Sequence, residues 1–113
     1  MKDFKPYLLD TLDCISKIKT YIQGYDFEKF VEDGKTADAV IRNIEVIGEA
    51  IKHIPDEIRV KYPDIPWKQI AGMRDKLIHD YLGVDLEHIW NVAARRIDEL
   101  AQNIKEILER EKG

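Results

Sequence analysis

Cysteine is almost absent from this chain. Cys14 stands alone among 113 residues, so no internal disulfide can form, and without a C-x-x-C or Cys/His cluster there is neither a zinc site nor a redox pair. A reducing cytoplasm is the compartment this predicts. Long hydrophobic runs are missing too: nothing approaches the roughly 20 apolar residues of a membrane span. The opening MKDFKPYLLDTLD is interrupted by acidic residues where a cleaved leader would be apolar, so we expect neither a membrane segment nor a signal peptide. Glycine and proline, six and four, build no linker, and there is no repeat or low-complexity tract. An excess of positive charge is also lacking, with 18 Lys and Arg against 22 Asp and Glu for a net charge of -4. Affinity for nucleic acid comes largely from basic groups that neutralise phosphates. The chain is therefore no general nucleic-acid coat, and any contact with RNA or DNA is local.

What the chain does have is helical periodicity throughout. Its length suits one domain, residues 1–113, whose fold buries roughly 65% of the surface exposed by the unfolded chain, enough to stand without disulfides or a structural metal. Leu8, Leu12, Ile15, Ile18 and Ile22 mark a first helix, with Gly24 as its stop. A short helix follows over 27–31. Val40, Ile44, Ile47, Ile51 and Ile54 form the apolar stripe of a helix that opens near Thr36 and is stopped by Pro55. A brief helical turn comes next, and Pro66 opens a helix reaching Ile78 or beyond. The last helix is expected to run unbroken over 85–109, capped by Asp85, with Leu86, Trp90, Ala93, Ile97, Leu100, Ile104 and Ile107 recurring at spacings of four and three. No alternating run resembles a strand. The expected architecture is all-α: an up-and-down bundle of four main helices with one or two short extras.

Chemistry concentrates in MRDKLIHDY, residues 73 to 81. On a regular helix Arg74 and Tyr81 project within about 20° of each other, whereas Arg74 and His79 lie about 140° apart. One intact helix does not aim all three at a single atom. Either the helix ends near His79, which Gly83 would permit, or a two-fold dimer brings a second copy of the motif alongside. Asp75 and His79, four apart, are placed to touch, so Asp75 could orient the imidazole or favour its charged form.

Taken singly, each of these residues has a blander reading. An arginine, histidine or tyrosine on a helix is usually solvated or partly packed. Arg95 and Arg96 read as the exposed flank of the last helix. His53 and His88 read as surface residues, and Trp67 and Trp90 fit core faces better than a platform for bases. Glu45 and Glu49 either flank the site or are ordinary surface carboxylates, the second being the default. No phosphate-binding glycine loop, metal cluster or Ser/His/Asp order is present.

The pattern Arg74, His79, Tyr81, R-x-x-x-x-H-x-Y, is set among NIEVIGEAIKHIP, YPDIPWKQIAGMRDKLIHDYLGVDLEHIW and an amphipathic C-terminal helix. Over nearly the whole chain this resembles the HepT-like toxin family of the HEPN superfamily. The resemblance implies a small all-α homodimer that acts as a metal-independent, cofactor-free endoribonuclease, the toxin half of a two-gene module. It implies a partner, an MntA-like nucleotidyltransferase antitoxin that transfers AMP to the motif tyrosine. On this chain Arg74 and His79 become the catalytic pair. Tyr81 is both a site component and the AMP acceptor, and Asp75 occupies the supporting polar position after the arginine.

The same chemistry follows from the residues. A ribose 2′-hydroxyl that loses its proton attacks the neighbouring phosphorus and expels the 5′-oxygen, leaving a cyclic phosphate without a metal. His79, with an ordinary pKa of about 6.5, suits the proton step. Arg74 suits phosphate gripping and stabilisation of developing charge. Tyr81 would steer the phosphate, and AMP attached there would exclude RNA by bulk and like charge. The alternative is a non-catalytic helical subunit that binds a nucleotidyltransferase through one face.

Overall fold

The structure, a computed structural model, describes residues 3–79 and 85–112, with the backbone alone for 76–79. Among the described residues it is all-α and contains no strand. The elements are α1 (Lys5–Tyr21), α2 (Phe27–Glu32), α3 (Gly34–Lys52), α4 (Asp56–Lys61), α5 (Trp67–His79), α6 (Leu86–Asn91), a π turn (Val92–Arg96) and α7 (Ile97–Arg110). None of the described helices is long and apolar enough to cross a membrane.

Helix α3 is the centre of the bundle, with α1 packed on one side and α5 on the other, while α1 also packs against α7. The reason lies in its stripe: Val40, Ile44, Ile47, Ile51 and Ile54 are all buried, as the spacing predicts. Side chains with no exposure, such as Ile44, Ile51 and Ile104, each contribute roughly 1.5–3 kcal/mol of apolar transfer. Pro55 follows the end of α3, and Arg59 reaches back to donate from Nε to the Ile54 carbonyl at 3.1 Å and from Nη2 to the Ile51 carbonyl at 2.8 Å. The last carbonyls of a helix lack the regular partner four residues on; that of Ile51 also accepts from the Ile54 amide at 3.1 Å. Arg59 therefore clamps the turn of α3 that carries Lys52 and His53.

At the other end of α3, Asp33 caps the helix by accepting from the Thr36 amide at 3.1 Å and the Thr36 hydroxyl at 2.7 Å. The Tyr25 hydroxyl donates to the same carboxylate at 2.6 Å. Those bonds, Tyr25's first, hold the Asp33 carboxyl down at about 2. The turn before it uses Gly24 with φ +81°, a left-handed conformation that glycine adopts without strain.

The C-terminal helix departs from expectation. It is not one regular α-helix but two joined by the π turn at Val92–Arg96. Val92 and Ile97 are both buried, at 4% and 3% exposure, although five residues on a regular helix would put them about 140° apart. A π turn accommodates an extra residue and so returns the apolar stripe of α7 to the core. Arg95 and Arg96 lie exposed on that turn.

Candidate functional site

The Arg74 side chain leaves α5 toward α3. Its Nε lies 2.9 Å from Glu49 Oε2 in an ion pair, and its Nη1 donates to Asp75 Oδ1 at 3.3 Å. Asp75 in turn accepts from Lys52 Nζ at 2.8 Å. That lysine, first, together with the Arg74 charge holds the Asp75 carboxyl below its ordinary range. Glu49 reaches His53, one turn on, with Oε1 and Nε2 3.7 Å apart. The His53 ring stacks on Tyr7 of α1, centroids 4.6 Å apart and planes 10° from parallel. The result is a continuous polar seam across three helices: Lys52, Asp75, Arg74, Glu49, His53, Tyr7.

Close helix packing makes the seam possible. A Cβ built on Gly48 would stand 2.7 Å from Arg74 Cβ and 3.3 Å from both the Arg74 amide nitrogen and the Ile70 carbonyl oxygen. Only glycine lets the two backbones approach so closely. The approach sets the base of the Arg74 side chain directly over the turn of α3 that presents Glu49, and the ion pair then fixes the other end.

A guanidinium carries five N–H bonds. One is donated to Asp75 and Nε faces Glu49 across the ion pair, and the other N–H groups have no partner among the described residues. Arg74 is one-third exposed, at 32% of its side chain. It borders an open cleft of about 330 Å³ shared with Tyr7, Asp10, Arg42, Glu45, Glu49 and His53. A cation held rigidly at two points with donors in hand is suited to gripping an anionic oxygen. Among the described residues no group of three or more His, Cys, Asp or Glu is placed to hold a metal ion.

Of the residues singled out in the sequence, Arg74 and Asp75 are brought together, and Asp75 is engaged by Lys52 and Arg74. His79 is the last residue of α5, and its side chain lies outside the described set, as do Tyr81 and Gly83 entirely. The expected contact between Asp75 and His79, and the alternatives for bringing His79 and Tyr81 beside Arg74, fall on those residues. Glu49 is more than a surface carboxylate, since it is the principal anchor of Arg74. Sequence reasoning missed Gly48 and the pairing of His53 with Tyr7. The helical register contained part of this, because Glu49 and His53 sit four apart on one face of α3, but only packing reveals which helix that face meets. His88 is exposed, Trp67 is buried with Nε1 donating to the Tyr62 carbonyl at 2.9 Å, and Trp90 packs on Phe30, as expected of each.

The fold and the seam define a small all-α domain with a pinned arginine one helical stretch before a histidine. The Ribonuclease HepT-like family model matches residues 11–107. The protein named "Putative RNase TTE0752" of Caldanaerobacter subterraneus subsp. tengcongensis is 46% identical over 112 residues, covering 99% of this chain and 100% of its own. "Putative RNase MJ0125" of Methanocaldococcus jannaschii is 45% identical over 95% of this chain and 92% of its own, and "Probable ribonuclease HepT" of Thermococcus cleftensis is 43% identical over 88% and 90%. No solved structure matches. The chain belongs to the HepT-like ribonuclease family.

Proposed function

We propose that this protein is a metal-independent endoribonuclease, the toxin of a two-gene module, in which Arg74 and His79 cleave RNA by attack of the 2′-hydroxyl on the adjacent phosphate. The observation that carries the reading is the pinned guanidinium: Glu49 and Asp75 fix Arg74 while N–H donors without a partner among the described residues stand at the mouth of a cleft. Family membership and the relatives' names support RNA as substrate. Arg74 binds a nonbridging phosphate oxygen and stabilises the charge that gathers on it in the transition state. His79 takes the proton from the 2′-hydroxyl, and a second histidine gives one to the leaving 5′-oxygen.

That second histidine comes from a partner copy. Helix α5 is helical through position 79, so positions 74 and 79 lie about 140° apart around its axis. A two-fold homodimer in which the α5 ends meet brings one copy's His79 to the other copy's Arg74. Tyr81 completes the site and accepts AMP from an MntA-like nucleotidyltransferase antitoxin, which silences the enzyme by occlusion and like charge.

The test is cleavage of unstructured RNA in EDTA. The wild type should cut, and His79→Ala should lose roughly 10² to 10⁴ in rate with its helical content and oligomeric state unchanged. Equal cleavage by the variant would refute the assignment. With the antitoxin and ATP, AMP mass should be added to the wild type and not to Tyr81→Phe.

A further inference from the structure

The cleft beside Arg74 contains more than a phosphate grip requires. Its lining joins the stacked pair Tyr7 and His53 to three carboxylates, Asp10, Glu45 and Glu49, and to Arg42 and Arg74. Three carboxylates thus face two arginines. Both cations are already engaged by acids in the lining, Arg74 by Glu49 at 2.9 Å and Arg42 by Glu45 at 3.7 Å. Such a cleft repels a second phosphate. It suits instead a flat, uncharged group that offers hydrogen-bond donors.

We infer that this cleft seats one unpaired nucleobase next to the scissile phosphate, with the Tyr7–His53 stack as its platform and the carboxylates reading its edge; guanine is the base it fits best. This deepens the nuclease reading and rests on it. The platform is preformed: the two rings are parallel within 10°, His53 keeps 44% of its side chain exposed, and the Arg59 clamp on the last turn of α3 holds it in place. Single-stranded RNA is recognised in just this manner, by stacking on aromatic or histidine rings and hydrogen bonds to the base edge.

Guanine follows from the chemistry of the edge. Its N1–H and N2–H lie side by side and match the two oxygens of one carboxylate. Adenine and cytosine each set an amino group beside a ring-nitrogen acceptor that a carboxylate repels. Uracil flanks its single N–H with two carbonyl oxygens. Glu45, whose side chain is only 22% exposed, is the reader: its contact with Arg42 at 3.7 Å is beyond hydrogen-bond distance, whereas Glu49 is held by Arg74 at 2.9 Å. The base enters the cleft while its phosphate stays at the rim, on the donors that Arg74 has left.

Two measurements on the full chain test this. In the first, GMP, AMP, CMP and UMP are titrated into the His79→Ala variant, followed by NMR of the His53 ring. GMP should shift the His53 ring protons upfield by stacking and bind more tightly than the other three, and Glu45→Gln should remove that preference. In the second, oligonucleotides differing in one base beside the cut are compared. His53→Ala should cost roughly 5- to 100-fold in kcat/KM on the guanosine substrate and flatten the preference among bases, with thermal stability and circular dichroism as in the wild type. If wild type cuts RNA with no base preference and GMP leaves the His53 ring unmoved, the base seat is overturned while the nuclease reading stands. If GMP binds as described but no RNA is cut, the nuclease reading fails and the nucleotide site remains.

Discussion

Two polar knots in this molecule use the same residue types to opposite ends. At the foot of the bundle, Glu111 just beyond α7 accepts from Lys61 Nζ at 3.1 and 2.8 Å, one to each oxygen, and from the Tyr62 hydroxyl at 2.7 Å. Its side chain is 16% exposed, and Lys61, then Tyr62, hold its carboxyl below the ordinary range. Both Glu111 oxygens have their donors, and the knot ties the C-terminal helix to the end of α4. At the junction of α3 and α5 the balance is reversed. Arg74 is fixed by two carboxylates but keeps donors with no partner among the described residues, beside a cleft. What separates a brace from a site is thus the capacity left over after the internal bonds are made, together with somewhere for a ligand to go.

The comparison breaks most visibly at Arg74. Arg74→Ala should lower RNA cleavage by roughly 10²- to 10³-fold with little loss of stability, because the side chain is partly exposed. Glu49→Ala should cost roughly 10-fold in kcat with KM less affected. If Glu49 acts by positioning Arg74, adding it to Arg74→Ala costs nothing further, and a double-mutant cycle reads that non-additivity. Additive losses would instead give Glu49 an independent role.

Gly48→Ala comes next. The new methyl would stand 2.7 Å from Arg74 Cβ with helix backbone on the flanks, so α5 must move off α3. We expect roughly 1–3 kcal/mol lost in denaturant unfolding together with loss of cleavage, in contrast to the stable but inactive Arg74→Ala.

The smallest effect belongs to the other knot. Tyr62→Phe should cost roughly 1 kcal/mol and leave cleavage intact. Because Glu111 has a lowered pKa in the folded chain, its contribution is complete above about 4.5, the ordinary value, and fades as pH falls through the folded value. The difference in Tm between wild type and Tyr62→Phe should therefore narrow as the pH falls below about 4.5. A difference unchanged by acid would place the contribution of Tyr62 in packing alone.

How much of this was legible in the sequence divides along the same line. The stripes of α1 and α3, the cap at Asp85 and the helix start at Pro66 are local signals, and the structure follows them, with α5 beginning one residue later at Trp67. The π turn is not local in that sense: it is forced by the demand that Val92 and Ile97 both face the core, which a regular spacing of four and three between Ala93 and Leu100 conceals. Arg74 and Asp75 stand out as chemistry on one helix. Their partners do not, because Glu49 lies 25 residues from Arg74 and Lys52 lies 23 from Asp75, and they meet only through the contact that Gly48 permits. A glycine inside a good helix pattern was the available clue to a close crossing. The stack of Tyr7 on His53 joins two helices through an ordinary tyrosine and an ordinary histidine, and nothing in either neighbourhood announces it.

The most direct test of the central claim is the chemistry of the ends left by cleavage. Mass spectrometry of a short RNA cut in EDTA should show a 2′,3′-cyclic phosphate on the upstream fragment and a 5′-hydroxyl on the downstream one. A single 2′-deoxy substitution at the cut site should stop the reaction there. A 5′-phosphate product, or undiminished cutting at the deoxy position, would contradict attack by the ribose hydroxyl and with it the roles given to Arg74 and His79.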